Sequence, residues 1–202
     1  MQSATILFLC DGAIMPKLGA EPIRKAALIN AAIAEVGQAG TLDVTVAQIA
    51  RAAGMSPALA HHYFGSKDQI FLAAMRHVLN VFRDSVRAGL PGATPRGRLD
   101  AIIAASFGPQ NFRHEVVSAW LNFYALALVN DEAARLLRVY HRRLDSNLVH
   151  ALRPLTGRPR AVAATLGALI DGVYLRAALA TGPTDGMAAI RTVTGYLDEV
   201  IG

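Results

Sequence analysis

Trp120, Phe123 and Tyr124 stand at offsets of three and four, a spacing that crowds their rings onto one side of a helix. Asp171 and Tyr174 are three apart in another apolar run, and Phe107 and Phe112 flank the break at Gly108-Pro109. A stripe of rings at helical spacing is usually core packing, and that reading stays open for Phe107 and Phe123. A carboxylate among aliphatics is different. Burying it is costly unless it is paired, so Asp171 either meets an arginine or awaits a cationic ligand. Aromatic faces with one anion suit a quaternary ammonium, which donates no conventional hydrogen bond and is held by ring quadrupoles and charge. Phe107, Trp120, Phe123, Tyr124, Asp171 and Tyr174 are therefore the candidate ligand-binding residues.

A second group of polar residues lies between 45 and 67. Thr45 with Gln48 has the form of a capping box, Gly54 stops the short helix that follows, and Ser56 can cap the next with Pro57 at its first position. Ile49, Met55 and Leu59 supply contact between the two, and Ala50 allows a close approach. The outer face is then left to Arg51, Ser56, His61, His62 and Lys67. Two short helices about a glycine turn match a helix-turn-helix, whose second member enters the major groove, although an ordinary helical hairpin satisfies the same spacing.

Other chemistries find no support. The single cysteine, Cys10, excludes an intramolecular disulfide and a cysteine-based zinc site, and it fits a reducing compartment. His61 and His62 are adjacent and diverge too far to chelate one ion, so no metal or cofactor is expected. There is no P-loop, no Gly-x-Ser-x-Gly and no His-Glu-x-x-His, which argues against an enzyme.

The elements that must position these residues read as helices throughout. Hydrophobic residues make up 53% and charged residues 17%, so the chain can bury a core, and low aromatic content with abundant Ala and Leu favours helix over sheet. Pro22 opens a first helix on a stripe of Ile23, Ala26, Ala27, Ile29, Ile33 and Val36, ended by Gly37 to Gly40. Helices over 46–53, 57–64 and 67–88 follow. Past the Gly- and Pro-rich stretch at 89–97, the pattern predicts helices near 95–107, 114–129, 131–152, 159–181 and 185–201. The expected fold is all-α: a helix-turn-helix domain at 15–66, and a helical domain at 67–202 that holds the candidate ligand-binding residues, joined to it by the long helix from Lys67. Residues 1–14 fit no pattern, and Met15 looks like the natural start. The apolar run at 5–10 is too short for export or for a span, and the one at 161–182 carries Asp171 and Arg176, so it reads as a buried helix. A cytoplasmic protein with no membrane partner is expected.

The stretch Thr45 to Ile70 closely resembles the DNA-binding region of the TetR family of bacterial repressors. It carries Ile49-Ala50, the turn Gly54, the run His62-Tyr63-Phe64 and Lys67 in the family's order. The resemblance implies that Ser56, Pro57, Ala58, His61 and His62 face base edges or nearby backbone, and that Thr45, Tyr63 and Lys67 hold phosphates of double-stranded DNA. It departs at Ala60, where a large aliphatic is common, and at His61, where an aromatic is frequent. Net charge agrees mildly: the whole chain is +5, and residues 15–88 hold eight Lys/Arg against five Asp/Glu.

Met15 to Lys25, Trp120 to Ala125, His141 to Leu148 and Ala168 to Arg176 are in turn similar to the choline-responsive repressors of glycine betaine synthesis within that family. Tyr174 stands where those often have Trp, and Asp145 where they often have Tyr. The resemblance implies a small cationic effector such as choline. It also implies a homodimer built on the last two helices, with Gly167 and Gly172 permitting close approach, and hence a palindromic operator. The alternative is a TetR-type repressor answering another small molecule, as efflux and catabolic regulators do.

Overall fold

A computed structural model describes residues 20–201, which form nine α-helices and, among the described residues, no strand. The proposed start at Met15 and the segment before it lie outside the described residues. The helices are α1 (Ala20–Ala39), α2 (Val46–Ala52), α3 (Pro57–Phe64), α4 (Lys67–Ala88), α5 (Pro95–Phe107), α6 (His114–Ala127), α7 (Asp131–Leu152), α8 (Pro159–Leu179) and α9 (Gly186–Ile201). Each expected helix is present, and most ends fall within two residues of where the cap and breaker residues place them.

Local chemistry sets the starts. Thr45 Oγ1 accepts from the Gln48 amide at 3.1 Å while Gln48 Oε1 accepts from the Thr45 amide at 2.7 Å, a closed capping box on a seven-residue helix too short to stand alone. Ser56 and Ser66 cap α3 and α4 in the same way through Leu59 and Gln69. Gly54 carries φ +69°, which an L side chain rarely adopts, and this turns the Met55 amide back onto the Ala50 carbonyl at 2.8 Å. Thr45→Ala should therefore cost about 1 kcal/mol and lower the thermal midpoint by about 2 to 4 °C, as calorimetry would read it.

Helices α1 to α4 pack around Leu28, Ile33, Val36, Ile49, Ala60, Ile70 and Leu72, all buried. α1 also crosses α6, and α4 runs on to pack against α5, α6 and α7. Two expectations change here. Ile23 is not part of the packed stripe; it is 71% exposed on the first turn of α1, and Leu28 takes the fully buried place instead. α1 ends at Ala39, before Gly40 at φ +68° and inside the expected stop, while Gly37 lies within the helix, where a Cβ would stand 2.5 Å from the Glu115 Cα of α6. The apolar helix α8 is long and apolar enough to cross a membrane, yet it packs on α6, α7 and α9, and only 28% of its apolar window is buried within one chain. It is a half-open helix rather than a buried one. Leu175, Leu179 and, from α9, Met187 are exposed large apolar side chains.

Candidate functional site

The first candidate surface is the outer side of α3. Ser56, Pro57, Ala58, His61 and His62 are all exposed, while Leu59 is half-buried and Ala60 is sealed against the neighbouring helices. A small residue at 60 thus lets α3 sit close, and the fold tolerates this departure. His61 Nδ1 lies 2.9 Å from the Gly65 carbonyl. A carbonyl only accepts, so Nδ1 carries the proton, and in that tautomer Nε2 is an acceptor. Acceptors of that kind meet the exocyclic amines of adenine or cytosine in the major groove.

The residues expected at phosphates are more constrained. Thr45 already gives its hydroxyl to Gln48 Oε1 at 2.8 Å, and Tyr63 is half-buried with the Lys25 ammonium 5.7 Å from its ring centre. Lys67 donates to the Leu42 carbonyl at 2.8 Å and is half-buried, so it fastens the α1–α2 loop to the head of α4. Its first role here is positional. Only its remaining N–H groups are left for a phosphate, which the spacing alone did not foretell.

The second candidate surface is an aromatic cluster where α4, α6, α7 and α8 meet. Trp120 is its centre, with ring centres of Tyr140 at 5.0 Å, Tyr124 at 5.7 Å and Tyr174 at 6.1 Å. Phe82 closes one side edge-on to Tyr140 at 6.1 Å. Together with Val78, Ser106 and Asn111, the side chains of Phe82, Trp120, Tyr140 and Tyr174 line a small cavity of about 10 Å3. The Tyr174 hydroxyl is set between the Ser106 carbonyl at 2.5 Å and the Asn111 carbonyl at 3.1 Å, which fixes its ring as a wall. Asn111 keeps its amide on the Ala105 carbonyl and leaves Oδ1 buried without a protein partner.

Asp171 completes the cluster. Its partner is no arginine: Oδ1 accepts from the Tyr124 hydroxyl at 2.9 Å, and Oδ2 lies 3.4 Å from His141 Nε2. Its side chain keeps 34% of its surface exposed, so the burial cost is partial. Burial first, and then the field of Asp171, pushes the phenols of Tyr124 and Tyr140 up; Tyr174 is raised by burial, then Tyr140 and Asp171. All three stay neutral, as rings that hold a cation by their π faces require only that the phenol be present.

Of the six expected ligand residues, the structure brings Trp120 and Tyr174 to the cavity wall, with Tyr124 and Asp171 directly behind it. Phe107 and Phe123 do not line the cavity. Phe107 stacks behind Tyr174 against Phe112, and Phe123 is fully buried on another side of Trp120. The spacing did not reveal Phe82, Tyr140 or His141. Tyr140 and His141 sit mid-way along an otherwise charged helix, and Phe82 on the linking helix, so no local stripe marked them. Among the described residues no cluster suited to a metal is present.

A helix-turn-helix reader rigidly continued by α4 into a helical body with an aromatic-walled cavity defines a DNA-binding transcriptional regulator. Residues 28–74 match the tetR family of bacterial regulatory proteins, and residues 95–202 match the C-terminal domain of BetI-type transcriptional repressors. The HTH-type transcriptional regulator BetI of Brucella melitensis biotype 2 is 52% identical over 186 residues, covering 91% of this chain and 94% of the relative. That of Rhizobium meliloti is 46% identical over 187 residues, covering 91% and 92%. Among solved structures, a TetR transcription regulator from Haloarcula marismortui matches with a TM-score of 0.77 at 21% identity, over 89% of this chain and 98% of that one. A transcriptional regulator from Saccharomonospora viridis in complex with choline matches with a TM-score of 0.73 at 20% identity, over 86% and 95%. Those two likenesses speak for the fold. The chain belongs to the TetR family, among its BetI-type repressors, and it is a regulator rather than an enzyme.

Proposed function

We propose that this protein represses genes of choline-to-betaine conversion or transport and that a quaternary ammonium of the choline type is its effector. The observation that carries the reading is the cluster of Trp120, Tyr140 and Tyr174 around one cavity with the Asp171 carboxylate beside it. Neutral aromatic faces attract a cation that cannot donate hydrogen bonds, and a nearby carboxylate balances its charge. The relatives at 46% and 52% identity, named as BetI regulators, support the same assignment.

The reader side follows the proposed contacts of Ser56, Pro57, Ala58, His61 and His62 with bases, and of Thr45, Tyr63 and Lys67 with the backbone. A homodimer through the open faces of α8 and α9 would set two such readers about 34 to 36 Å apart on a palindromic operator. The exposed Leu175, Leu179 and Met187, and the open space over Gly167 and Gly172, support that interface. Such a regulator works in the cytoplasm, where its operator is.

Coupling runs through α4. The cavity is no larger than one water requires. A trimethylammonium must therefore displace a wall side chain, and Phe82 belongs to the helix that begins at Lys67 beside the reader. The ligand biases the reader only by as much as it prefers one arrangement of α4 over the other. Asp171→Asn keeps an acceptor for Tyr124 but removes the charge. It should weaken choline binding about tenfold, or roughly 1.4 kcal/mol, with operator affinity in gel shift unchanged. Unaltered choline titration would remove Asp171 from the site.

A further inference from the structure

Between α4 and α7 lies a second, larger cavity of about 640 Å3, within the size range of small-molecule sites. Its floor is apolar, with Val86 and Leu144 among others, and four guanidinium groups line it: Arg76, Arg83, Arg87 and Arg143. No carboxylate does. Arg76 is paired with Glu132 and Arg83 with Asp84, whereas Arg87 and Arg143 have no ion pair among the described residues. Phe82 and Tyr140 line both this cleft and the aromatic cavity, so one edge-to-face pair forms a partition common to the two.

That partition is where an enlarging ligand has room to go. The aromatic cavity is too small for a trimethylammonium as it stands, and swinging Phe82 or Tyr140 aside opens it into the cleft. The two compartments are opposite in charge. Asp171 backs the aromatic one from α8, while the cleft is lined by guanidinium groups and no carboxylate, and of these Arg87 and Arg143 repel a bare ammonium and attract an anion. Guanidinium forks match oxyanions in geometry as well as charge.

We propose that the two cavities act as one dipolar site for a choline monoester of an oxyacid, phosphate or sulfate, with the ammonium in the aromatic cage and the oxyanion on Arg87 and Arg143. The proposal rests on the reading of the cage as a quaternary-ammonium site and specifies its ligand further. Only an anion several bonds from the nitrogen can span the partition; the carboxylate of glycine betaine, one carbon away, is too close.

Isothermal titration of the whole chain with choline, phosphocholine, choline sulfate and inorganic phosphate or sulfate tests this. At least one monoester should bind about tenfold or more tightly than choline, and its free oxyanion far more weakly. The phosphate and sulfate arms tell which acid the cleft prefers. Replacing both exposed arginines, as Arg87→Gln with Arg143→Gln, should erase the ester's advantage while choline's own constant and the thermal midpoint hold. Esters no tighter than choline, an advantage that survives the double substitution, or a free oxyanion equal to its ester would each overturn the dipolar site and leave the choline reading standing. Failure of choline and both esters alike would instead overturn the cage itself.

Discussion

Trp120→Leu is expected to cut choline affinity about thirtyfold, a loss of roughly 2 kcal/mol for a desolvated cation–π contact, while operator binding without ligand stays near its original value. Trp120 touches more of the cage than any other ring, meeting Phe123, Tyr124, Tyr140 and Tyr174 within 6.1 Å. Leucine keeps the site apolar and fills part of the volume, so the change isolates the π face from mere hydrophobicity. Phe123→Leu is the matched control. That ring is fully buried but off the cavity wall, so its loss should lower stability by about 1 to 3 kcal/mol and leave choline's affinity for the folded protein within about twofold. Calorimetric titration of both variants decides the matter: equal losses of affinity would mean that the aromatic cluster is core and nothing more.

Gly37→Ala is expected to lower operator affinity about tenfold and the thermal midpoint by several degrees. A Cβ at this position would lie 2.5 Å from the Cα and 2.6 Å from the Cβ of Glu115, so backbone rather than a flexible side-chain end must yield. Overpacking of this kind costs about 1 to 3 kcal/mol. Its location gives the cost a functional sign. α1 belongs to the bundle that carries the reader, and α6 to the half that carries Trp120, so one added methyl wedges the two apart. Gly157→Ala meets nothing within 4 Å and has no positive φ; it should stay within about 0.5 kcal/mol of the parent. Fluorescence anisotropy on an operator fragment, beside a melting curve, would read both quantities. Unchanged DNA binding in a destabilised Gly37→Ala protein would show that the crossing of α1 and α6 does not set the reader.

Local signals made the reader legible. The Thr45-Gln48 box, Ser56-Pro57 and the Gly54 turn each act over a few residues, and each does in the structure what its chemistry requires. The resemblance to the TetR family rested on the same stretch and is matched over residues 28–74. Gly37 has a role that such local signals do not show. Gly40, at φ +68°, follows the end of α1 inside the expected stop, whereas Gly37 lies within the helix, where tertiary packing on α6 needs the missing side chain.

The ligand end was legible only in half. Trp120 and Tyr124 declare themselves by sharing a helix face, and Asp171 by its apolar surroundings. Phe82, Tyr140 and His141 join them only through the packing of α4 and α7, from stretches whose charged neighbours conceal them. Asp171 itself was expected to meet an arginine or to await a cationic ligand. It meets a phenol and an imidazole, because α6 and α7 bring Tyr124 and His141 to it. Phe107 and Phe123 are buried away from the cavity wall.

One titration bears most directly on the whole account: anisotropy of the DNA fragment upstream of the protein's own coding sequence against random duplex, at about 0.15 M salt, with and without choline. The protein should prefer its own fragment by at least about a thousandfold, and choline should shift that midpoint without altering binding to random duplex. Equal affinity for both duplexes, or a midpoint indifferent to choline and to its esters, would contradict it.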